Sequence, residues 1–99
     1  IQDKLATMRI RLEAATLLQR KAAWLKDNGH EHQIEASMAK AYVGEVAVES
    51  ALDAIQIHGG WGYTTEFHVE RGLRDAKLAT IGGGTTEIQK MVIARTLLG

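Results

Sequence analysis

The amino-acid sequence predicts an all-α fold, an up-and-down bundle of three main helices and one short helix. The chain contains no proline, the residue that most strongly breaks helices, and it is rich in alanine, leucine, glutamate and lysine. Hydrophobic residues recur every three or four positions over long stretches, as they do along one face of a helix. Two glycine-rich segments, 59–62 and 82–84, interrupt this pattern and separate the predicted helices.

Composition limits the classes of function. The 99 residues carry 12 basic and 12 acidic side chains, and zero net charge argues against nucleic-acid or membrane-surface binding, which needs a clustered positive field. The absence of cysteine excludes disulfides, a thiolate nucleophile and cysteine-ligated zinc, and it fits a reducing compartment. No apolar run approaches the roughly 20 residues of a membrane span. The length allows one domain at most, and because the sequence starts inside a helical pattern we expect residues 1–99 to be a piece of a larger protein.

The first helix is predicted over about residues 1–28. Its apolar stripe alternates spacings of three and four, and basic and acidic residues occupy the rest of its surface. The stripe consists of Ile1, Leu5, Met8, Leu12, Ala15, Leu18, Ala22 and Leu25. Gly29 is available for the left-handed position that commonly ends a helix.

The second helix is predicted from about Glu31 to Ile57, and it is apolar on two sides. One stripe contains Ile34, Met38, Ala41, Val48, Leu52 and Ile55, and a second face contains Val43, Val46, Ala47, Ser50, Ala51 and Ala54. Since a helix that is apolar on two sides is buried on two sides, we expect the second face to meet another domain or subunit. The remaining strip, Glu45, Glu49 and Asp53, is interpreted as a solvated edge rather than as catalytic carboxylates.

Two shorter helices are predicted in the second half. One follows the first glycine-rich segment, with Val69, Leu73 and Ala76 facing inward. The last ends near Leu98, with Thr85 or Thr86 as its N-terminal cap and Glu87 near its positive end.

The glycine-rich segments are the candidates for chemistry. Glycine permits tight turns and close approach of a ligand to the backbone, and the second segment leads into a helix N-terminus, which favours anions. Neither segment matches a nucleotide-binding fingerprint, so on spacing alone ordinary turns are the simpler interpretation and ligand binding the alternative. His58 fits a packed or capping histidine better than a base. His30 and His32 diverge on the helix start, so we expect no metal site there.

Several short motifs lie in order along the whole chain. They are Ala22 to Trp24 (AAW), Ala36 to Lys40 (ASMAK), Gln56 to Tyr63 (QIHGGWGY), Glu70-Arg71, Arg74 to Lys77 (RDAK), Gly84 to Gln89 (GTTEIQ) and Ile93 to Arg95 (IAR). Together they resemble the acyl-CoA dehydrogenase family. The resemblance implies an FAD-dependent enzyme that oxidises an acyl-CoA thioester to the trans-2-enoyl-CoA and passes electrons to an electron-transfer flavoprotein. It also implies that this chain is the C-terminal helical domain of the enzyme, without the first helix of that bundle. The enzyme would be a homo-oligomer, either a dimer or a tetramer.

The resemblance assigns roles to particular positions. Contacts to the FAD of a neighbouring subunit fall on Gln56, Ile57, His58, Gly59 and Gly60, which explains the glycines better than a bare turn does. Contacts to FAD in the other flavin site fall on Thr85, Thr86 and Glu87, with Thr85 the foremost hydrogen-bonding side chain.

One position departs from the family pattern. Many members carry the catalytic glutamate where this chain has Gly83, so no catalytic residue is assigned here. Gly83 and Gly84 are assigned to the substrate, with the Gly83 N–H as a donor to the thioester carbonyl that stabilises enolate charge. We expect the base to lie upstream, as in isovaleryl- and long-chain-type branches; the other explanation is that the parent is not a standard dehydrogenase.

The alternative function is a stand-alone helical oligomerisation or interaction module without catalysis. A plain bundle has no need of cofactor-facing glycine segments, and this favours the enzyme. The resemblance further implies a location in the bacterial cytoplasm, or in the mitochondrial matrix of a eukaryote.

Overall fold

The computed structural model describes residues 1–59, 69–79 and 85–99. Over these ranges the chain forms four helices and no strand: α1 (Gln2–Asp27), α2 (Gln33–His58), α3 (Val69–Ala79) and α4 (Thr86–Leu98). The predicted all-α class and the order of three main helices and one short helix are therefore confirmed. None of the described helices is both long enough and apolar enough to span a membrane.

Helix α2 lies at the centre and packs against α1, α3 and α4. Arg11, in the first half of α1, pairs with Glu49 in the second half of α2, so these two helices run antiparallel. Helix α4 also runs antiparallel to α2, because Lys90 near its start pairs with Glu45 while Ile93 lies beside Met38. The described part of the molecule measures 48 × 24 × 23 Å.

The buried core consists of small side chains. The buried residues are Ala15 of α1 and Ser37, Ala39, Ala41, Gly44 and Val46 of α2. Small residues let helix backbones approach closely, but each removes little apolar surface from water, and no large side chain among the described residues is fully buried. The helices are thus joined by close contact along α2 rather than by a wide apolar core.

Helix α1 ends where the sequence places its stop. Gly29 has φ +72° and its N–H donates to Lys26 O, while the N–H of His30 donates to Leu25 O. These two bonds form the Schellman motif, which satisfies carbonyls left free at the helix end. The predicted left-handed role of Gly29 is confirmed.

The start of α2 differs from the prediction. We predicted a helix from about Glu31, but it begins at Gln33. The carboxylate of Glu31 accepts a hydrogen bond from the Gln33 N–H at 3.2 Å, so Glu31 lies outside the helix and satisfies one of its free donors.

The apolar stripe of α1 is only partly buried. Ile1, Leu5 and Leu12 are exposed, whereas Ala15 is buried and Leu18, Ala22 and Leu25 are half-buried. An average spacing of 3.5 residues drifts by about 20° per heptad on a straight α-helix. Toward the N-terminus of α1, the predicted stripe therefore rotates around the helix and no longer faces α2.

The second apolar face of α2 is partly covered by this chain itself. Val46 is buried, and Val43 lies with Ala22 of α1 on a cavity of about 340 Å³ between the two helices. Ala47, Ala51 and Ala54 remain half-buried. The expectation that another domain or subunit meets this face stays a prediction, and α1 of this chain lies beside part of it.

Candidate functional site

The N-terminus of α4 is capped by a hydroxyl. Thr85 has extended backbone angles, and its Oγ1 accepts a hydrogen bond from the Ile88 N–H at 3.2 Å. Of the two threonines predicted as caps, Thr85 is the cap, and Thr86 is the first residue of the helix. Because the cap bond uses a lone pair of Oγ1, the hydroxyl proton of Thr85 stays available to a ligand. The N–H groups of Thr86 and Glu87 precede the first intrahelical bond and face the same end.

A polar cavity of about 320 Å³ opens beside this helix end. It brings together residues of three helices: Glu45, Val48 and Glu49 of α2, Lys77 of α3, and Thr86, Glu87 and Lys90 of α4, with Thr85 at its edge. Hydroxyls, carboxylates and ammonium groups all line it, so it offers both donors and acceptors to a polar ligand. All three site residues predicted for this helix end lie on this cavity.

Two cations, Lys90 and Arg11, form three ion pairs with the acidic strip of α2. Lys90 Nζ lies 3.1 Å from Glu45 Oε1, and Arg11 Nη1 lies 3.0 Å from Glu49 Oε2 and 4.0 Å from Asp53 Oδ2. The interpretation of Glu45, Glu49 and Asp53 as a solvated edge agrees with the partial exposure of all three side chains. The structure adds that the same strip connects α2 to α4 and to α1.

The second predicted cofactor segment lies at the C-terminus of α2. Gln56, His58 and Gly59 are exposed and Ile57 is half-buried. The Nδ1 of His58 lies 2.8 Å from the carbonyl oxygen of Ala54, so Nδ1–H donates to its own helix and Nε2 points away. The expectation of a capping histidine rather than a base agrees with this geometry.

Gly59 ends α2 with φ +63° and ψ −137°, and nothing lies within 4 Å of the position of a Cβ. The backbone conformation requires glycine, and the open space beside it leaves room for a ligand. Gly60, Gly83 and Gly84, which complete the predicted site, lie outside the described residues.

The described residues of the two predicted cofactor segments lie at different places along α2. Glu49 lines the cavity at α4, whereas His58 is nine residues further along α2. At about 1.5 Å per residue, this separates them by roughly 14 Å along the helix axis. For the described residues, the arrangement is compatible with two different flavin sites, as the family resemblance implies.

Five residues of the cavity were missed from the sequence: Glu45, Val48, Glu49, Lys77 and Lys90. Lys90 follows Thr86 by four positions and Glu87 by three, a spacing that places it on the same face of α4 and could have indicated it. Glu45 and Lys77 come from other helices, and only the packing brings them to this end of α4.

The histidine-containing turn between α1 and α2 has a structural role. The imidazole of His30 stacks on the indole of Trp24, with ring centroids 5.5 Å apart, and Nδ1 of His32 bonds the His30 carbonyl oxygen. Within the described ranges, no three histidine, aspartate or glutamate side chains are grouped as a metal ion would need.

Comparison with known proteins connects this geometry to a family. Residues 1–98 match the family model described as "Acyl-CoA dehydrogenase, C-terminal domain". The chain is 50% identical over 99 residues to an acyl-CoA dehydrogenase of Bacillus subtilis. It is 48% identical over 98 residues to the 3-(aryl)acrylate reductase of Clostridium sporogenes. The matched region makes up 26% of the length of each of these two relatives. It superposes on the structure of butyryl-CoA dehydrogenase from Megasphaera elsdenii with a TM-score of 0.96 at 42% identity, covering 99% of this chain and 26% of that one. The chain thus spans about a quarter of the length of the relatives that it matches.

Proposed function

The chain belongs to the acyl-CoA dehydrogenase family, and from this we propose that it works as the C-terminal helical domain of a longer, FAD-dependent enzyme acting on an acyl-CoA thioester. The proposed reaction is α,β-dehydrogenation of the acyl group. FAD, when bound, supplies the acceptor for the hydride that leaves the β carbon. The part of the reaction assigned to this chain is to hold the flavin and to pack against the other domains.

The observation that carries the proposal is the α4 N-terminus. The Thr85 cap leaves a hydroxyl proton free, and Thr86 and Glu87, whose N–H groups have no partner within the helix, line the same polar cavity. The oxygen and nitrogen acceptors of a flavin ring match this donor set, so the described residues fit the cofactor. Thr85 would hold the ring, while the helix dipole stabilises negative charge placed at this end.

A second contact is proposed at the end of α2. Gln56 to Gly60 would approach the FAD of a neighbouring subunit, and this requires a homo-oligomer, a dimer or tetramer. The exposed His58 and the unobstructed space at Gly59 support such a contact. Electron-transfer flavoprotein is the proposed electron acceptor, and the bacterial cytoplasm or the mitochondrial matrix the proposed location.

The catalytic base is proposed to come from upstream of this chain. Gly83 stands where many members carry the glutamate, and it cannot accept a proton. Glu45 and Glu49 are engaged by Lys90 and Arg11, and Glu87 lies in the first turn of α4, where its charge stabilises the helix. A carboxylate from the preceding part of the enzyme, placed against the flavin, would complete the site.

The proposal is tested on the full-length protein that carries this chain. We expect the purified protein to show the absorption bands of oxidised flavin, and anaerobic addition of a suitable acyl-CoA to bleach them. A colourless protein would contradict the cofactor assignment. Flavin that no saturated acyl-CoA reduces, but that an enoyl-CoA reoxidises after chemical reduction, would reverse the physiological direction of the reaction.

The alternative function is a helical interaction module without catalysis. One observation favours it: Ile10, Leu17 and Trp24 are exposed and lie at intervals of seven residues along α1. Such a line of exposed apolar side chains is typical of a protein interaction surface. Size-exclusion chromatography and FAD titration of the isolated chain distinguish the two functions. We expect the isolated chain to bind FAD poorly because most of the enzyme is missing. A well-defined oligomer without any flavin in the full-length protein would favour the module.

A further inference from the structure

Helix α4 is weakly fixed by its apolar contacts. No residue of α4 is buried, and Ile88 and Met91 are about half exposed. Close packing of buried side chains is what normally prevents a helix from rotating or sliding on its neighbour. Within this chain, the apolar contact between α4 and α2 therefore leaves the rotation of α4 to be fixed by other contacts.

The Glu45–Lys90 ion pair joins α2 to α4 within this contact. Both residues line the polar cavity at the α4 N-terminus, and both also line an apolar cavity of about 290 Å³ with Leu18, Met38 and Ile93. The pair therefore lies where the two cavities adjoin. Lys90 is one helical turn beyond Thr86, so rotating α4 away from this pair would displace the capped end at the same time.

We propose that Glu45 and Lys90 are positioning residues, which fix the rotation of α4 on α2 and thereby hold Thr85 and Glu87 in register with the bound flavin. The proposal rests on the proposed function of the α4 N-terminus. Both residues also line the polar cavity, and the role proposed for them is exerted through the orientation of α4 rather than through a bond to the flavin.

The exposure of the pair separates positioning from global stability. The side chains of Lys90 and Glu45 are 64% and 42% exposed. Ion pairs this exposed contribute little to the free energy of unfolding, because water screens them. Substitutions should therefore change flavin binding without unfolding the domain.

The test uses the full-length apoprotein titrated with FAD, and the absorption and visible circular dichroism of the bound flavin. We expect Lys90→Met and Glu45→Gln each to weaken FAD binding by up to about fivefold, the range that a surface pair allows. Both should also shift the visible circular dichroism of the flavin. The double variant should bind no more weakly than either single variant, since the two residues act as one unit. Lys90→Arg should restore wild-type binding.

A matched control is Arg9→Met, which breaks an exposed ion pair with Glu13 on α1, and neither of these residues lines the polar cavity. We expect it to change neither FAD binding nor the flavin spectrum. Equal flavin effects from Arg9→Met, additive losses in the double variant, or single variants indistinguishable from the wild type would overturn the positioning role alone. A wild-type protein without flavin would overturn the proposed function as well.

Discussion

The guanidinium of Arg11 lies 3.0 Å from the carboxylate of Glu49 and 4.0 Å from that of Asp53, so one arginine of α1 joins two successive turns of α2. The arginine side chain is 34% exposed, which screens it less than a fully solvated pair. This contact fixes the antiparallel register of the two long helices at the end far from their connecting turn.

The first prediction follows from this arrangement. Arg11→Met should lower the free energy of unfolding by about 1 kcal/mol, because two carboxylates lose their partner. Arg9→Met is the control, since Arg9 pairs with Glu13 on the exposed side of the same helix and should cost no more than about 0.5 kcal/mol. Urea unfolding at low and high salt measures both. If the two substitutions lower the free energy of unfolding equally, the interhelical ion pair contributes no more to stability than the pair within α1.

The second prediction concerns the backbone of two glycines. Gly29→Ala should destabilise the domain by about 1 kcal/mol, because alanine is strained at φ +72° in the Schellman motif. Gly72→Ala should stabilise it by about 0.5–1 kcal/mol, because Gly72 lies within α3 with no atom within 4 Å of a new Cβ. The two melting temperatures should therefore move in opposite directions, and a common direction would contradict the backbone explanation.

The third prediction separates cofactor contact from turn formation at Gly59. Gly59→Ala and Gly29→Ala both place alanine at positive φ in open space, so both should lower the melting temperature. Only Gly59→Ala should also lower the flavin content of the purified full-length protein. If flavin content falls equally in both variants, Gly59 forms a turn and nothing more.

The fourth prediction concerns the cap of α4. Thr85→Ala should cost about 1 kcal/mol of stability, because the Ile88 N–H loses its acceptor. Thr85→Ser keeps the hydroxyl and should retain both stability and flavin. Thermal unfolding and the ratio of flavin to protein absorbance measure the two effects. Flavin retained in full by Thr85→Ala would exclude Thr85 as a contact of the ring.

The fifth prediction concerns the small-residue core. Ala15→Leu should destabilise the domain by about 1–3 kcal/mol, since Ala15 is buried where α1 approaches α2 and a larger side chain would force the helices apart. Ala23→Leu, on the exposed side of α1, should stay within about 0.5 kcal/mol of the wild type. Tolerance of leucine at position 15 would show that the close helix contact is not needed.

The elements themselves follow closely from local physics. The Gly29 stop and a threonine cap at position 85 or 86 are visible in the sequence, because each depends on the conformational range or the hydrogen bonding of one or two neighbouring residues. The structure decides that Thr85 is the cap. The start of α2 was misplaced by two residues because Glu31 satisfies a helix donor from outside, a choice that periodicity does not reveal.

The burial of α1 could not be predicted from its pattern. Leu12 and Ala15 both belong to the predicted stripe, yet only Ala15 is buried. Which part of a drifting stripe faces a neighbour depends on where the two helices cross, and this is a property of their packing.

The sequence by itself determined the helical class, the order of the four helices, the membership in a family and the two segments proposed to hold the flavin. Only the tertiary structure decided that Glu45, Lys77 and Lys90 share one cavity with Thr85, and that the acidic strip of α2 joins α1 and α4. The physical reason is the separation along the chain of the residues that interact. Caps and turns depend on neighbouring residues, whereas these contacts join distant residues that meet only when the helices pack.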